Sequence, residues 1–316
     1  MQLVSYRFAG HGKGTLAGVI DGDAILNAGQ LLGRTGCFDM LALLDLERAG
    51  LDQLRGAVDR FRLEHLDALM LPEAIAAPRW LVELDAPLPR PRTVRDFYSY
   101  EGHVASAYAK RNRPVPPNWY EMPVFFYQHP GTIYGPDAIV PYPVGSNQLD
   151  FELEIAAVIG ASGRDIPAER AWEYVAGLTI FNDWSARDVQ AREMSVGLGP
   201  AKGKDFASSI GPAIVTLDEL SDALVDDRHR LVASVMANEE VIAETDAGDL
   251  HWTLPQMIET ASRQVTLEPG DLIGLGTMAR GCLLELGEAV HPWLREGDEV
   301  VLSVERLGRL RNRIGS

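Results

Sequence analysis

Hydrophobic and polar positions change rhythm twice along this chain. Between residues 2 and 28 they alternate in LVSYRF, LAGVI and AILNA, separated by GHGKG (10–14) and DGD (21–23). Period-two alternation broken by turn residues predicts a small antiparallel meander. From 38 to 70 the period lengthens. FDMLALLDLERAGLDQLRGAVDRFRLEHLDALM carries Leu and Phe three and four apart with charges between them, which predicts helix. PLPRPR, at 87–92, is a stiff proline-rich link. A boundary placed there gives a small N-terminal α+β domain over 1–88 and a larger domain over 93–313.

Beyond the link come many short apolar runs punctuated by Gly and Pro: PVFFYQ, AIVPYP, LEIAAVIG, GLTIFND, AIVTL, LVASVMAN, DLIGLGT, LLELG and EVVLSVE. They predict a β-rich domain with few helices. IPAERAWEYV (166–175) and LPQMIETASRQ (254–264) are the expected helices, each entered through an early proline. The chain has no fixed-period repeat and no low-complexity tract.

Composition narrows the function classes. A chain of 316 residues buries a sizeable core. Its net charge of −16 argues against a nucleic-acid or anionic-membrane partner, which would call for basic patches. Cys37 and Cys282 are isolated, without CxxC spacing, and read as reduced thiols rather than a disulfide framework or a zinc site. The opening MQLVSYRFAGHGKG lacks the apolar core of a signal peptide, and no run approaches a membrane span. A cytoplasmic protein is expected.

The candidate chemistry lies in carboxylates at the ends of apolar runs. In LDFELEIAAVIG, Glu152 and Glu154 are two apart and share one face of a strand, while Leu153, Ile155 and Val158 bury it. Asp183 closes the apolar run 175–181. Unpaired buried charge costs several kcal/mol, so these acids need a positive partner. An all-oxygen set suits a hard divalent cation, Mg²⁺ before Zn²⁺. Oxygen ligands alone do not separate Mg²⁺ from Mn²⁺ or Ca²⁺. Asp96 and His103 stand close together just after the link. GPAKGK resembles a phosphate loop but is one residue short, and Asp205 follows the lysine where Ser or Thr belongs; Lys204 is read as a lysine in a closely packed loop. No G-x-S-x-G elbow is present. Glu285 lies between leucines, and alone it reads as the outward residue of a strand.

Taken together and in order, DFYSYEGH, LDFELE, FNDWSARDVQ, GPAKGKDF and GCLLELG resemble the fumarylacetoacetate hydrolase family over about 93–313. The resemblance is nearest to the fumarylacetoacetase branch. It implies mixed β-sheets rolled around a metal site, in a homodimer. It implies metal ligands at Asp96, Glu152, Glu154 and Asp183. His103 matches the water-activating base and Glu285 the carboxylate that orients it. Gln190 and Lys204 match the pair that steadies the departing carbanion. Tyr98 and Thr277 match substrate-side residues, and Ser208 stands where that branch has threonine. Met194 replaces a substrate tyrosine, FFYQH (125–129) replaces a more polar run, and Arg111 lies one residue before the aligned position of an arginine, which Asn112 occupies. The expected activity is Mg²⁺-dependent hydrolysis of a C–C bond in a small 1,3-diketo acid, with decarboxylation, hydration or isomerisation of a 2-keto acid as the alternative on the same site. Tyr108, Trp119, Tyr127, His129 and Met194 are candidates to line the substrate pocket.

Overall fold

The computed structural model describes residues 1–8, 14–65, 72 and 74–315. Its largest sheet runs, edge to edge, through Ala76–Pro78, Ala24–Asn27, Leu16–Asp21, Gln2–Phe8, Ser208–Thr216, Val175–Asn182, Leu153–Ile159, Leu272–Gly274, Val94–Phe97 and Phe125–Gln128. Val82–Asp85 and Ile133–Tyr134 branch from it. A second sheet has five strands, in the order Glu240–Asp246, Val232–Ala237, Glu299–Val304, Gly308–Gly315 and Ile139–Pro141. The architecture is the expected one, β-rich with mixed sheets.

Apart from Glu154, the strand Leu153–Ile159 is apolar because it is buried on both faces. Leu153, Ile155, Ala157 and Ile159 point into one core with Leu178 and Ile180. Ala156 and Val158 point into another, with Leu51, Leu54, Val58 and Phe61 from the helix Glu47–Glu64. A fully buried Leu or Ile contributes about 1.5–3 kcal/mol. Anchoring of that size on both faces holds the carboxylates at the strand's start in place.

The expected N-terminal meander forms, and its first strand pairs antiparallel with Ser208–Thr216, Gln2 opposite Val215. Hydrogen-bonded strands and one apolar core therefore cross the proline-rich segment: Leu3, Val19 and Leu26 pack with Val158 and Ile214. GHGKG lies almost wholly outside the described residues, as does the end of the helical stretch at 66–70.

Two expectations need correction. Residues 166–175 give a 3-10 helix, Ala168–Tyr174, instead of an α-helix. Only Ala171 is buried there, so no apolar stripe supports a longer-period helix. LLELG, expected as a strand, forms one helical turn, Leu283–Leu286, ended by Gly287 at φ +81°. The backbone N–H groups of Leu283 and Leu284 donate to the Asp150 carboxylate, at 2.7 and 3.0 Å, and this contact supplies the helix start. No helix among the described residues is long and apolar enough to cross a membrane.

Candidate active site

Three neighbouring segments of the large sheet bring their carboxylates to one place. Asp96 is on Val94–Phe97, Glu154 is on Leu153–Ile159, and Asp183 follows Val175–Asn182. The strand Leu272–Gly274 lies between the first two, with Gly274 opposite both Asp96 and Ala156. A Cβ on Gly274 would sit 2.4 Å from Asp96 Oδ1, so this glycine makes room for the carboxylate.

Asp96, Glu154 and Asp183 each offer an oxygen within 4.8 Å of the others, and all three residues are buried. Asp96 Oδ1 and Glu154 Oε2 are buried without a hydrogen-bond partner among the described residues. Burial raises Asp96 to about 6, against the pull of Lys204. Burial, reinforced by Asp96, Glu152 and Asp183, pushes Glu154 well above the usual carboxylate range. Burial also raises Asp183, with Lys204 opposing. Orphaned oxygens, an all-oxygen donor set and excess negative charge fit a hard divalent cation.

Glu152 stands beside this cluster, engaged by two cations. Arg187 Nη2 donates to its Oε1 at 2.7 Å, and Lys204 donates to its Oε2. Burial alone would raise Glu152, but Arg187, Lys204 and His103 outweigh it and hold the carboxyl well below its ordinary value. Lys204 also touches Asp183, and these two acids overcome burial to keep its ammonium charged. The lysine reaches this position because its loop is docked on the helix Arg187–Met194. Glu193 accepts backbone N–H groups from Ala201, Lys202 and Gly203, at 3.0, 2.7 and 3.1 Å. A Cβ on Gly203 would lie 2.7 Å from the Gln190 backbone N.

His103 sits on the helix Glu101–Ala109 and is buried. Its Nδ1 is 2.6 Å from Glu285 Oε1, and its Nε2 is 4.0 Å from Glu152 Oε1. A carboxylate beside Nδ1 selects the tautomer with the proton there and leaves an Nε2 lone pair on the Glu152 side. The ring of Tyr98 meets the imidazole edge-on at 5.4 Å. Thr277 Oγ1 donates to Glu154 Oε1 at 3.0 Å.

These groups line a cavity of about 270 Å³, together with Gln190, Arg111, Met194, Tyr108, Phe125, Phe126 and Leu284. Of the expected site residues, Asp183, Ser208 and Glu285 are not in its wall. Ser208 is buried and accepts a 3.3 Å hydrogen bond from Gln128, which also donates to Asp183. Glu285 stands behind His103. Of the five pocket candidates, Tyr108 and Met194 line the cavity. Trp119 is turned to the Tyr98 carbonyl at 2.7 Å, Tyr127 is exposed under Arg95, and exposed His129 accepts from Gly131 N.

Sequence reading missed Arg187 and Asp150, although both lie in the quoted motifs. Asp150 is wholly buried and accepts from Arg187 Nε at 2.8 Å. The same carboxylate caps the turn that carries Glu285. It therefore ties the Arg187–Glu152 side of the site to the His103–Glu285 side. The only signal in the sequence was an Asp between Leu149 and Phe151, needing a partner if buried.

Comparison with known proteins agrees with this geometry. The chain is 30% identical to the fumarylacetoacetase of Oryza sativa subsp. japonica, over 89% of this chain and 81% of that protein. It is 32% identical to the oxaloacetate tautomerase YisK of Bacillus subtilis (strain 168), over 74% of this chain and 73% of that protein. The solved structure of a fumarylacetoacetate hydrolase from psychrophilic Exiguobacterium antarcticum superimposes with a TM-score of 0.71 at 25% identity, over 100% of this chain and 99% of that one. The family model for the fumarylacetoacetate (FAA) hydrolase C-terminal region matches residues 92–315, so the chain belongs to the fumarylacetoacetate hydrolase family, a family of enzymes that act on keto acids.

Proposed function

We propose that this protein is a divalent-metal-dependent hydrolase that cleaves the C–C bond of a 1,3-diketo acid, fumarylacetoacetate-like or acylpyruvate-like. The observation that carries this reading is the buried His103–Glu285 pair, 2.6 Å apart, beside three clustered carboxylates. A divalent cation, Mg²⁺ or a similar hard ion, would be held by Asp96, Glu154 and Asp183, with Glu152 adjacent, and would polarise the carbonyl of a chelating diketo acid.

His103 takes a proton from water at Nε2 while Glu285 holds the Nδ1 proton in place. The hydroxyl adds to the carbonyl carbon, the C–C bond breaks, and the electron pair leaves with the other fragment as an enolate. Lys204 and Gln190 face that charge from the cavity wall; a preorganised donor of this kind is worth about 3–4 kcal/mol. The proton held by His103 then returns to the carbanion, which closes the balance. Tyr98, Thr277 and Arg111 orient the substrate, and Met194, Phe125 and Phe126 set an apolar wall around its tail.

A second reading is tautomerisation of a 2-keto acid such as oxaloacetate. The oxaloacetate tautomerase at 32% identity supports it, since the same His103 can move a proton between carbon and oxygen. The deciding experiment is turnover with Mg²⁺ or Mn²⁺ against fumarylpyruvate, acylpyruvates, fumarylacetoacetate and oxaloacetate, with Asp183→Ala as blank. Two acids released from a diketo acid support hydrolysis. Enol–keto interconversion of oxaloacetate, with every diketo acid untouched, rejects it for the second reading. A homodimer is part of the proposal, and the mass in solution by light scattering tests it.

A further inference from the structure

Cys282 is the one buried thiol among the described residues, and the proposed reaction does not use it. Its Sγ lies 3.9 Å from His103 Nδ1 and 3.6 Å from Glu285 Oε1, on the side of the imidazole turned away from the carboxylate cluster. The third separation, Nδ1 to Oε1, is 2.6 Å. A tetrahedral ion with metal–sulfur bonds of about 2.3 Å and metal–nitrogen or –oxygen bonds of about 2.0–2.2 Å places its donors about 3.3–3.6 Å apart. Two of the three edges are thus close to the required length. The third opens by roughly 0.7 Å if the ion replaces the hydrogen-bonded proton between His103 and Glu285.

We propose that His103, Cys282 and Glu285 form a second metal site, selective for a thiophilic divalent cation such as Zn²⁺ or Cd²⁺, and that filling it switches the enzyme off. Charge favours the occupied state. A divalent ion, one thiolate, one carboxylate and a neutral imidazole sum to zero, so no net charge is buried. Selectivity follows from donor softness. Sulfur and imidazole nitrogen suit Zn²⁺ and Cd²⁺, whereas the all-oxygen cluster of Asp96, Glu154 and Asp183 suits Mg²⁺.

The proton balance determines the effect on activity. Binding releases the Cys282 thiol proton to solvent. It also moves the imidazole proton from Nδ1 to Nε2, because Nδ1 must offer its lone pair to the ion. Nε2 then carries a hydrogen and cannot accept one from water. Inhibition therefore lowers kcat without raising KM, and added Mg²⁺ does not relieve it. Of the three donors only His103 reaches the cavity wall, so uptake is time-dependent. The loss of activity rests on His103 being the base, whereas occupancy of the site does not.

The test uses the full chain with Cys37→Ser, which removes the exposed thiol, in saturating Mg²⁺. Cd²⁺ is titrated while the ultraviolet sulfur-to-cadmium charge-transfer band is followed. The expected result is one equivalent of Cd²⁺ per chain, with the band abolished by Cys282→Ser and retained in Asp183→Asn. No band in the Cys37→Ser protein overturns the site. A band lost in a folded Asp183→Asn protein overturns it too, since the thiol would then hold Cd²⁺ only with help from the oxygen cluster. Glu285→Gln, which keeps the thiol, should weaken Cd²⁺ binding at least tenfold, and unchanged affinity overturns the three-donor assignment. In parallel, turnover of the active substrate should fall with the band and recover on chelation followed by Mg²⁺. A full band with unchanged turnover leaves the metal site standing and refutes His103 as the base.

Discussion

Removing the divalent cation should make this protein's stability fall as pH rises, and adding Mg²⁺ should cancel the fall. Five buried carboxylates, Asp96, Asp150, Glu152, Glu154 and Asp183, surround two buried cations, Arg187 and Lys204, which leaves three negative charges in excess. Burial raises Asp96 from 3.8 to about 6. The folded state therefore binds a proton there that the unfolded state has already released. That contribution is fully present below pH 4 and is lost as pH rises towards 6. At about 1.4 kcal/mol per pH unit per proton, the loss from Asp96 alone is roughly 3 kcal/mol. Glu154 and Asp183, raised in the same direction, add to it. A bound divalent cation takes the place of these protons, so the loaded protein does not pass through the same decline. Urea denaturation in EDTA and in saturating Mg²⁺, at half-unit steps from pH 4.5 to 7, reads the two curves. From Asp96 alone the expected Mg²⁺ increment grows across that range by about 2 kcal/mol, since part of the loss already lies below pH 4.5. In EDTA at pH 7, Asp96→Asn should be more stable than wild type and should respond little to Mg²⁺. An increment that stays flat with pH refutes the placement of the cation among these carboxylates.

Other perturbations separate the roles of neighbouring groups. Lys204→Met should lower turnover about 10²–10³-fold yet tighten Mn²⁺ binding measured by EPR, because the ammonium on Asp183 and Glu152 competes with the cation; weaker Mn²⁺ binding would contradict this. His103→Ala should reduce diketo-acid hydrolysis about 10²–10⁴-fold while leaving Mn²⁺ affinity within threefold, and a large change in affinity would make His103 part of the metal site. Asp150→Asn should cost about 3–5 kcal/mol in urea denaturation, as it breaks a buried pair with Arg187 and turns an amide donor toward other donors; a cost below about 1 kcal/mol, typical of a neutral surface change, would refute its role as the link between the two halves of the site.

Much of the fold is legible because its determinants are local. The strand Leu153–Ile159 announces itself by the apolar run that follows Glu154, and the structure explains the run by two-sided burial. The meander 2–27 is legible from its alternation and turns. Glu152, Glu154 and Asp183 are legible for a related reason: charges at the ends of such strands are too costly to leave unpaired. The role of Asp96 is legible only through the family resemblance of DFYSYEGH. LLEL shows where local reasoning stops. Its alternating leucines fit a strand, and what makes it helical is a carboxylate 133 residues away in sequence, accepting from Leu283 N.

The same distance problem hides the division of labour among the acids. Glu152 and Glu154 are indistinguishable in LDFELE, yet one is engaged by two cations and the other keeps an oxygen free of partners. Glu152 just precedes the strand that carries Glu154, and this placement does not decide the division. The difference comes from Arg187 and from Lys204, and Lys204 is aimed by Glu193 gripping the backbone of its loop. Glu193 is itself anchored on the helix Arg187–Met194, which also carries Gln190. One helix thus supplies the arginine and the glutamine and docks the lysine. A shift of that helix would change the charge on the metal side and the donors facing the substrate together. Gly203 limits such a shift, because any larger residue there meets the Gln190 backbone. The site is therefore constrained less by the strands that hold its acids than by the single helix that holds its cations.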